Sequence, residues 1–479
     1  MDILSNTKWV AFSQIFKIAV QLLNIVVLAR LIPPHDYGIM AMALVVTNFA
    51  TLVRDLGTSA AIIQKENIEN KTINAIFWLN ILMGCSVAIV IIILSPFIAY
   101  IFHTKELLFV LLLLAVSFPL SSSSSAHLAL LERNSFFKSI AYIEMTSSGI
   151  AVFFAIITAY LGWGVYSLVV QTLLMSSIST VQLWLKSGWR PEKTLRIDWK
   201  EIRGLLGFSG NLTLFNFINY FSRNTDTFVI GRYMSASVLG AYSLSYRLML
   251  FPIQNLTFVV NRALFPVISR FQDDNIKLKE SYLNTVYYIL LLVLPLMTGL
   301  IVLNEPFIRL VFGPQWDITA KVLIWLAPTG IIQAVLSTSG TVFMAKARTD
   351  ILMKLGIVGA LLQISAFCIG VHFSIITFAM FYFIANVLNF FPVMLCVMHC
   401  LNSSLVDLFK KITPLIICAG VLYGVLIFIL NNVPYYRYID DFIKLISISL
   451  MGGFVYLGLI LGLNPKIIYF FLKKLSRTT

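Results

Sequence analysis

Apolar residues in this chain do not alternate with polar ones; they run on in long blocks. Fourteen mostly apolar stretches are separated by short polar breaks. About 20 such residues are what a helix needs to cross a bilayer core about 30 Å thick. The first six lie at 8–31, 37–62, 73–95, 107–130, 139–161 and 164–186. Six more lie at 205–230, 237–262, 282–303, 320–343, 351–372 and 374–399, and two follow at 410–431 and 442–462. The expected fold class is therefore an all-α polytopic membrane protein of about 14 transmembrane helices. The first stretch is too long for the core of a cleaved signal peptide and is interrupted by Lys17, so it reads as a membrane helix.

Composition agrees. Hydrophobic residues make up 59% of the 479 and charged residues 12%, against about 45–50% and about 25% in soluble domains. A net charge of +14 raises the question of a nucleic-acid partner, but the basic residues follow topology. With the N-terminus inside, twenty-three of the 35 fall in cytoplasmic segments, seven on the opposite side and five inside spans. The positive-inside rule produces this bias. It predicts two cytoplasmic termini and an even number of spans, with no nucleic acid required. The five cysteines (Cys85, Cys368, Cys396, Cys400 and Cys418) lie in apolar stretches without a CxxC pair. They read as packing residues, not as a disulfide framework or a metal site.

The chain also repeats itself. Arg30-Leu31-Ile32 followed by Gly38 matches Arg232-Tyr233-Met234 followed by Gly240, 202 residues later. Pro96-Phe97-Ile98 with Phe102 matches Pro306-Phe307-Ile308 with Phe312, 210 residues later. Each match is short, but they occur in order and between corresponding spans. A six-span offset preserves orientation, which predicts two parallel-repeat six-helix lobes plus two extra helices. The expected domains are 1–190, an N-terminal six-helix lobe; 191–204, a cytoplasmic interfacial linker; 205–400, the C-terminal six-helix lobe; and 401–479, two extra helices with a cytoplasmic tail.

Charges inside the spans carry the candidate chemistry, because an ionised side chain at mid-bilayer costs at least ~2.5–3.5 kcal/mol. Lys17, Arg54, Arg223, Arg247 and Arg262 are the basic ones, and Asp55, Glu144 and Asp226 the acidic ones. The positive surplus points to an anionic substrate, with the five cations as candidate substrate-binding residues and the three carboxylates as ion-coupling candidates. Lys17 lies on a polar stripe with Gln14, Gln21 and Asn24, which reads as cavity lining. Arg247 follows Tyr242 and Tyr246 at mid-depth and has the same reading. Arg223 and Asp226 are i, i+3 and able to neutralise each other. Arg262 and Glu144, near cytoplasmic helix ends, also fit interfacial roles. The run Ser121 to Ser125 suits backbone hydrogen bonding and bending; no catalytic residue, metal or cofactor is expected.

Several strings resemble a known family. Leu28-Ala29-Arg30-Leu31-Ile32-Pro33-Pro34-His35-Asp36-Tyr37-Gly38 and Arg54-Asp55-Leu56-Gly57 resemble the opening of bacterial Wzx-type polysaccharide flippases. Val229-Ile230-Gly231-Arg232, Leu239-Gly240 and Tyr242-Ser243-Leu244-Ser245-Tyr246-Arg247 resemble the second-half signature, and Phe312-Gly313-Pro314-Gln315-Trp316 also fits. The resemblance is closest to the colanic-acid-type branch of the multidrug/oligosaccharidyl-lipid/polysaccharide exporter superfamily. It implies a two-lobed inner-membrane transporter, not an enzyme, whose cargo is an oligosaccharide on undecaprenyl pyrophosphate. The implied partners are that lipid-linked oligosaccharide, membrane lipids and a polysaccharide polymerase complex, with the chain itself a monomer. Two alternatives remain beside it. A drug antiporter of the same superfamily fits the repeat but suits acidic residues better. A membrane polymerase or ligase fits the membrane setting, yet the longest outer loop, from Asn304 to Ala320, has only 17 residues.

Overall fold

The computed structural model describes residues 3–54, 62–63, 68–192, 220–221, 223–270, 275–434, 436 and 439–463, without the side chains of 3–11, 13, 15, 257–270 and 275. Among these residues the regular structure is entirely helical. Eleven helices are long and apolar enough to cross a membrane. Helices Ile3–Leu31 (α1) and Ala236–Arg270 are continuous but stand outside these eleven. Part of each of these two helices lies among the side chains outside the described set. The expected span 205–230 lies mostly outside the described residues.

The chain divides into two compact units, Met1–Gly240 and Ala241–Thr479. The first contains α1, α2 (Pro34–Arg54), α3 (Asn70–Ile101), α4 (Glu106–Ala115), α5 (Ser117–Arg133), α6 (Phe137–Tyr160) and α7 (Val165–Ser187). It also holds a helix over 223–233, here α8. The expected linker 191–204 lies, beyond Glu192, outside the described residues. The division at Gly240 reflects the packing of residues 220–240 against α2 and the loop after α3.

The expected span 107–130 corresponds to one candidate span, Glu106–Arg133, interrupted at Val116 because Pro119 has no N–H to offer the carbonyl of Ala115. The turn at Val116 closes instead with Val116 N–H to the Leu113 carbonyl, 3.2 Å, and the Ser117 hydroxyl to the Leu114 carbonyl, 2.6 Å. Helix α6 packs on both α1 and α7, and α5 packs between α3 and α7.

The second unit holds the long helix Ala236–Arg270 (α9) from Ala241 onward, then α10 (Asn275–Val302), α11 (Asn304–Val311), α12 (Asp317–Leu336) and α13 (Ser339–Ala345). Four more follow: α14 (Thr349–Gly370), α15 (Ile375–Cys400), α16 (Leu405–Asn432) and α17 (Asp441–Leu463). The last two helices are part of its core. Leu415, Leu422 and Ile448 are buried with Val286 and Leu290 of α10, and the Tyr456 hydroxyl donates to the Leu291 carbonyl at 3.1 Å. Ser404 and Asp407 form a capping box that starts α16.

Candidate functional site

Lys17 and Glu144 meet. α1 packs on α6, which brings the Lys17 ammonium to 2.5 Å from the Glu144 carboxylate, with the two side chains 38% and 42% exposed. A candidate substrate cation and a candidate coupling carboxylate thus form one ion pair. Gln14 and Gln21 are exposed on the same helix, and the buried Oδ1 of Asn24 accepts no hydrogen bond among the described residues.

Arg54, at the end of α2, donates to the Ser121 hydroxyl of α5. The rest of the serine run mostly bonds backwards along its own helix. Ser123, Ser124 and Ser125 donate to the carbonyls of Leu120, Ser121 and Ser122 at 2.7, 2.9 and 3.0 Å. Neighbouring helices use it too: Asn80 donates to Ser125 at 2.8 Å and Trp184 to the Ser123 carbonyl at 3.1 Å. His127 pairs with Ser187 at 2.7 Å, and its ring lies tilted against Trp184 with centroids 4.5 Å apart. The run therefore ties helices together. Asp55 lies outside the described residues.

Arg223 and Asp226 do not form the pair that their spacing allows. Asp226 is buried and accepts from the Thr227 amide at 2.6 Å and the Thr227 hydroxyl at 3.2 Å. Arg223 is exposed and makes no ion pair among the described residues. The backbone of Arg262 lies in α9, and its side chain is outside the described set.

Arg247 is half-buried on α9, eleven residues from Ala236, or about 16 Å along the helix axis. It makes no hydrogen bond or ion pair among the described residues. Around the same stretch of α9 is a polar cluster that sequence reasoning missed. Gln333 of α12 donates to the Tyr382 hydroxyl of α15 at 2.6 Å and to Asn386 Oδ1 at 3.4 Å. Asn386 donates to the Tyr382 carbonyl at 2.9 Å. The hydroxyls of Tyr246 and Tyr382 stand 3.5 Å apart, and Tyr242 stacks over Tyr246 with ring centroids 6.0 Å apart. The available signal was an amide inside each of two apolar spans, Gln333 and Asn386, with Tyr382 one turn before the latter. Among the described residues no group of His, Cys, Asp and Glu is placed to hold a metal.

Chemically, these parts are a guanidinium without a counter-charge among the described residues, a set of phenols and amides, and a separate paired lysine. They can bind an anion and hydroxyl groups; they contain no arranged nucleophile and base. Over 370 residues the chain is 29% identical to the lipopolysaccharide biosynthesis protein WzxC of Escherichia coli (strain K12), covering 77% of this chain and 75% of that protein. It is 26% identical to the teichuronic acid biosynthesis protein TuaB of Bacillus subtilis (strain 168), covering 81% of each. In fold it is similar to the lipid II flippase MurJ in an inward closed conformation, with a TM-score of 0.77, 18% identity and coverage of 96% and 99%. It is also similar to an inward-facing multidrug resistance MATE family transporter, with a TM-score of 0.64, 15% identity and coverage of 82% and 95%. Residues 27–321 match the family described as polysaccharide biosynthesis protein. The chain belongs to that family, as a Wzx-type polysaccharide flippase, a transporter and not an enzyme, and it has the fold of MurJ and of the MATE transporter.

Proposed function

We propose that the protein moves undecaprenyl-pyrophosphate-linked oligosaccharide repeat units from the cytoplasmic to the periplasmic leaflet of the inner membrane by alternating access. Fourteen spans in two six-helix lobes plus two helices, with both termini cytoplasmic, form the frame of this reading. The observation that carries it is Arg247. A guanidinium about 16 Å along a membrane helix, with no ion pair among the described residues, is stabilised by water or by an anion. Pyrophosphate is the anion that such a lipid-linked sugar brings, and Arg can grip it through two parallel hydrogen bonds.

The tyrosines and amides of the cluster at Tyr246 suit the hydroxyl-rich glycan, while the isoprenoid tail stays in lipid. Lys17 and Glu144 supply a pair whose making and breaking would couple loading to an ion, with Asp226 and Asp55 as the other carboxylates in that role. The relatives named for lipopolysaccharide and teichuronic acid biosynthesis support a glycan cargo.

The test is transport in cells lacking their own flippase for one surface polysaccharide. Wild-type protein is expected to clear lipid-linked repeat units from the cytoplasmic leaflet. Arg247→Ala is expected to lower the rate at least about tenfold, as the loss of a charge-assisted contact predicts, and Arg247→Lys to restore part of it. Full transport by Arg247→Ala would remove the residue from the mechanism. Normal surface polysaccharide without any flippase would remove the function itself.

A further inference from the structure

The internal repeat makes a contact with itself. Pro34 and Gly38 open α2; Ala236 and Gly240 open α9 at the corresponding places, each 202 residues later. A Cβ added at Gly38 would overlap the carbonyl oxygen of Ala236, and one added at Gly240 would overlap the carbonyl oxygen of Pro34. The Cβ at Gly240 would also stand 3.0 Å from the backbone nitrogen of Gly38. The contact is therefore reciprocal: each repeat presents its glycine to the other repeat's residue four positions earlier. Two identical patches meeting this way have the self-complementarity of a two-fold interface. Only residues without a Cβ let two backbones approach so closely.

The contact continues away from the loops. The Tyr220 hydroxyl donates to the Val45 carbonyl, and Phe49 packs against Tyr220 and Phe221 with ring centroids 5.7 and 5.3 Å apart. Beside it, Phe102 meets Phe228 at 5.4 Å, and Arg232 reaches His103. This seam runs from the loops to Val45, eleven residues into α2, or about 16 Å. No sugar passes between helices whose backbones touch.

We infer that this seam is the closed outer gate of the transporter, and that Gly38 and Gly240 are the matched pair that lets it shut. The inference rests on the alternating-access reading and adds the residues of one gate to it. In the state that releases cargo, the α2 and α9 starts separate and the Tyr220, Phe228 and Arg232 contacts break with them.

The measurement is a distance between spin labels at the exposed positions His35→Cys, in the first turn of α2, and Ser235→Cys, just before α9, in a background with the five native cysteines replaced, in proteoliposomes. With both glycines intact, a single short-distance population is expected. Adding Gly38→Ala or Gly240→Ala is expected to shift the closed-to-open ratio at least about tenfold toward long distances. Gly340→Ala and Gly356→Ala, where a Cβ meets open space, leave the distribution unchanged. An unchanged distribution in both gate variants overturns the inference.

A second arm keeps the glycines and so does not depend on their variants folding. A thiol-cleavable bismaleimide joining the two introduced thiols of the His35→Cys, Ser235→Cys protein is expected to stop transport until a reductant cuts it. Undiminished transport while cross-linked overturns the gate. If the protein moves no lipid-linked sugar at all, the transport reading fails, and the distance measurement still decides whether the seam opens.

Discussion

Lys17 and Arg247 are both cations more than ten residues from either end of their helices, and their surroundings differ. Lys17 has Glu144 at 2.5 Å. Arg247 follows Tyr246 on α9 and has no carboxylate partner among the described residues. The first arrangement is complete without a ligand. The second is incomplete, and an incomplete charge is the one that a passing anion stabilises. On the proposed reading, the difference separates a charge already paired within the protein from one open to an anionic cargo, which a count of buried cations does not do.

The strongest way to break this comparison is to separate stability from activity. Arg247→Leu removes an uncompensated charge, so thermal melting in detergent is expected to stay the same or rise, while transport falls at least about tenfold. A clear drop in melting temperature would mean that Arg247 has a structural partner and resembles Lys17 after all. Next in size is the amide cluster. Gln333→Leu takes its donor away from the Tyr382 hydroxyl and from Asn386 Oδ1, and a buried polar group that loses its partner costs about 1–3 kcal/mol. The expected result is a lower melting temperature. Unchanged melting would show that water replaces the amide and that the cluster is open to solvent.

Much of this architecture could be read from the sequence, and the reason is one-dimensional. A membrane span is a local property of about 20 residues, so eleven of the expected stretches correspond to helices long and apolar enough to cross a bilayer. The break at Val116 was hidden in an apolar run, although Pro119 carried the signal. Partners across helices are a different matter. Nothing within residues 8–31 says that Lys17 finds Glu144; that follows from α1 packing on α6. The Gln333, Tyr382 and Asn386 cluster needs two helices, and Tyr246 a third. The repeat loops were visible as matching strings, yet their reciprocal contact exists only in three dimensions.

A smaller effect tests the other side of the comparison. Lys17 and Glu144 are each about two-fifths exposed, and a pair in such a setting is worth about 0.2–1 kcal/mol. A double-mutant cycle with Lys17→Gln and Glu144→Gln, read by melting, is expected to return a coupling in that range. If the singles abolish transport while the double restores it, the pair serves as a structural tie. If all three abolish transport with melting unchanged, the two charges act in coupling.

The smallest expected effect concerns Arg223 and Asp226, where helical spacing and structure disagree. Spacing of i, i+3 permits a pair worth about 0.2–0.5 kcal/mol on a helix surface. In the structure Asp226 turns into the protein and bonds the Thr227 amide and hydroxyl, while Arg223 stays exposed. Arg223→Ala is therefore expected to change stability by no more than about 0.5 kcal/mol, and a cycle with Asp226→Asn to show no coupling. Asp226→Asn alone is expected to destabilise more than Arg223→Ala, since its carboxylate is buried and hydrogen-bonded. A coupling above the surface-pair range would place the guanidinium on Asp226 and make that carboxylate, like Glu144, one half of a neutral pair.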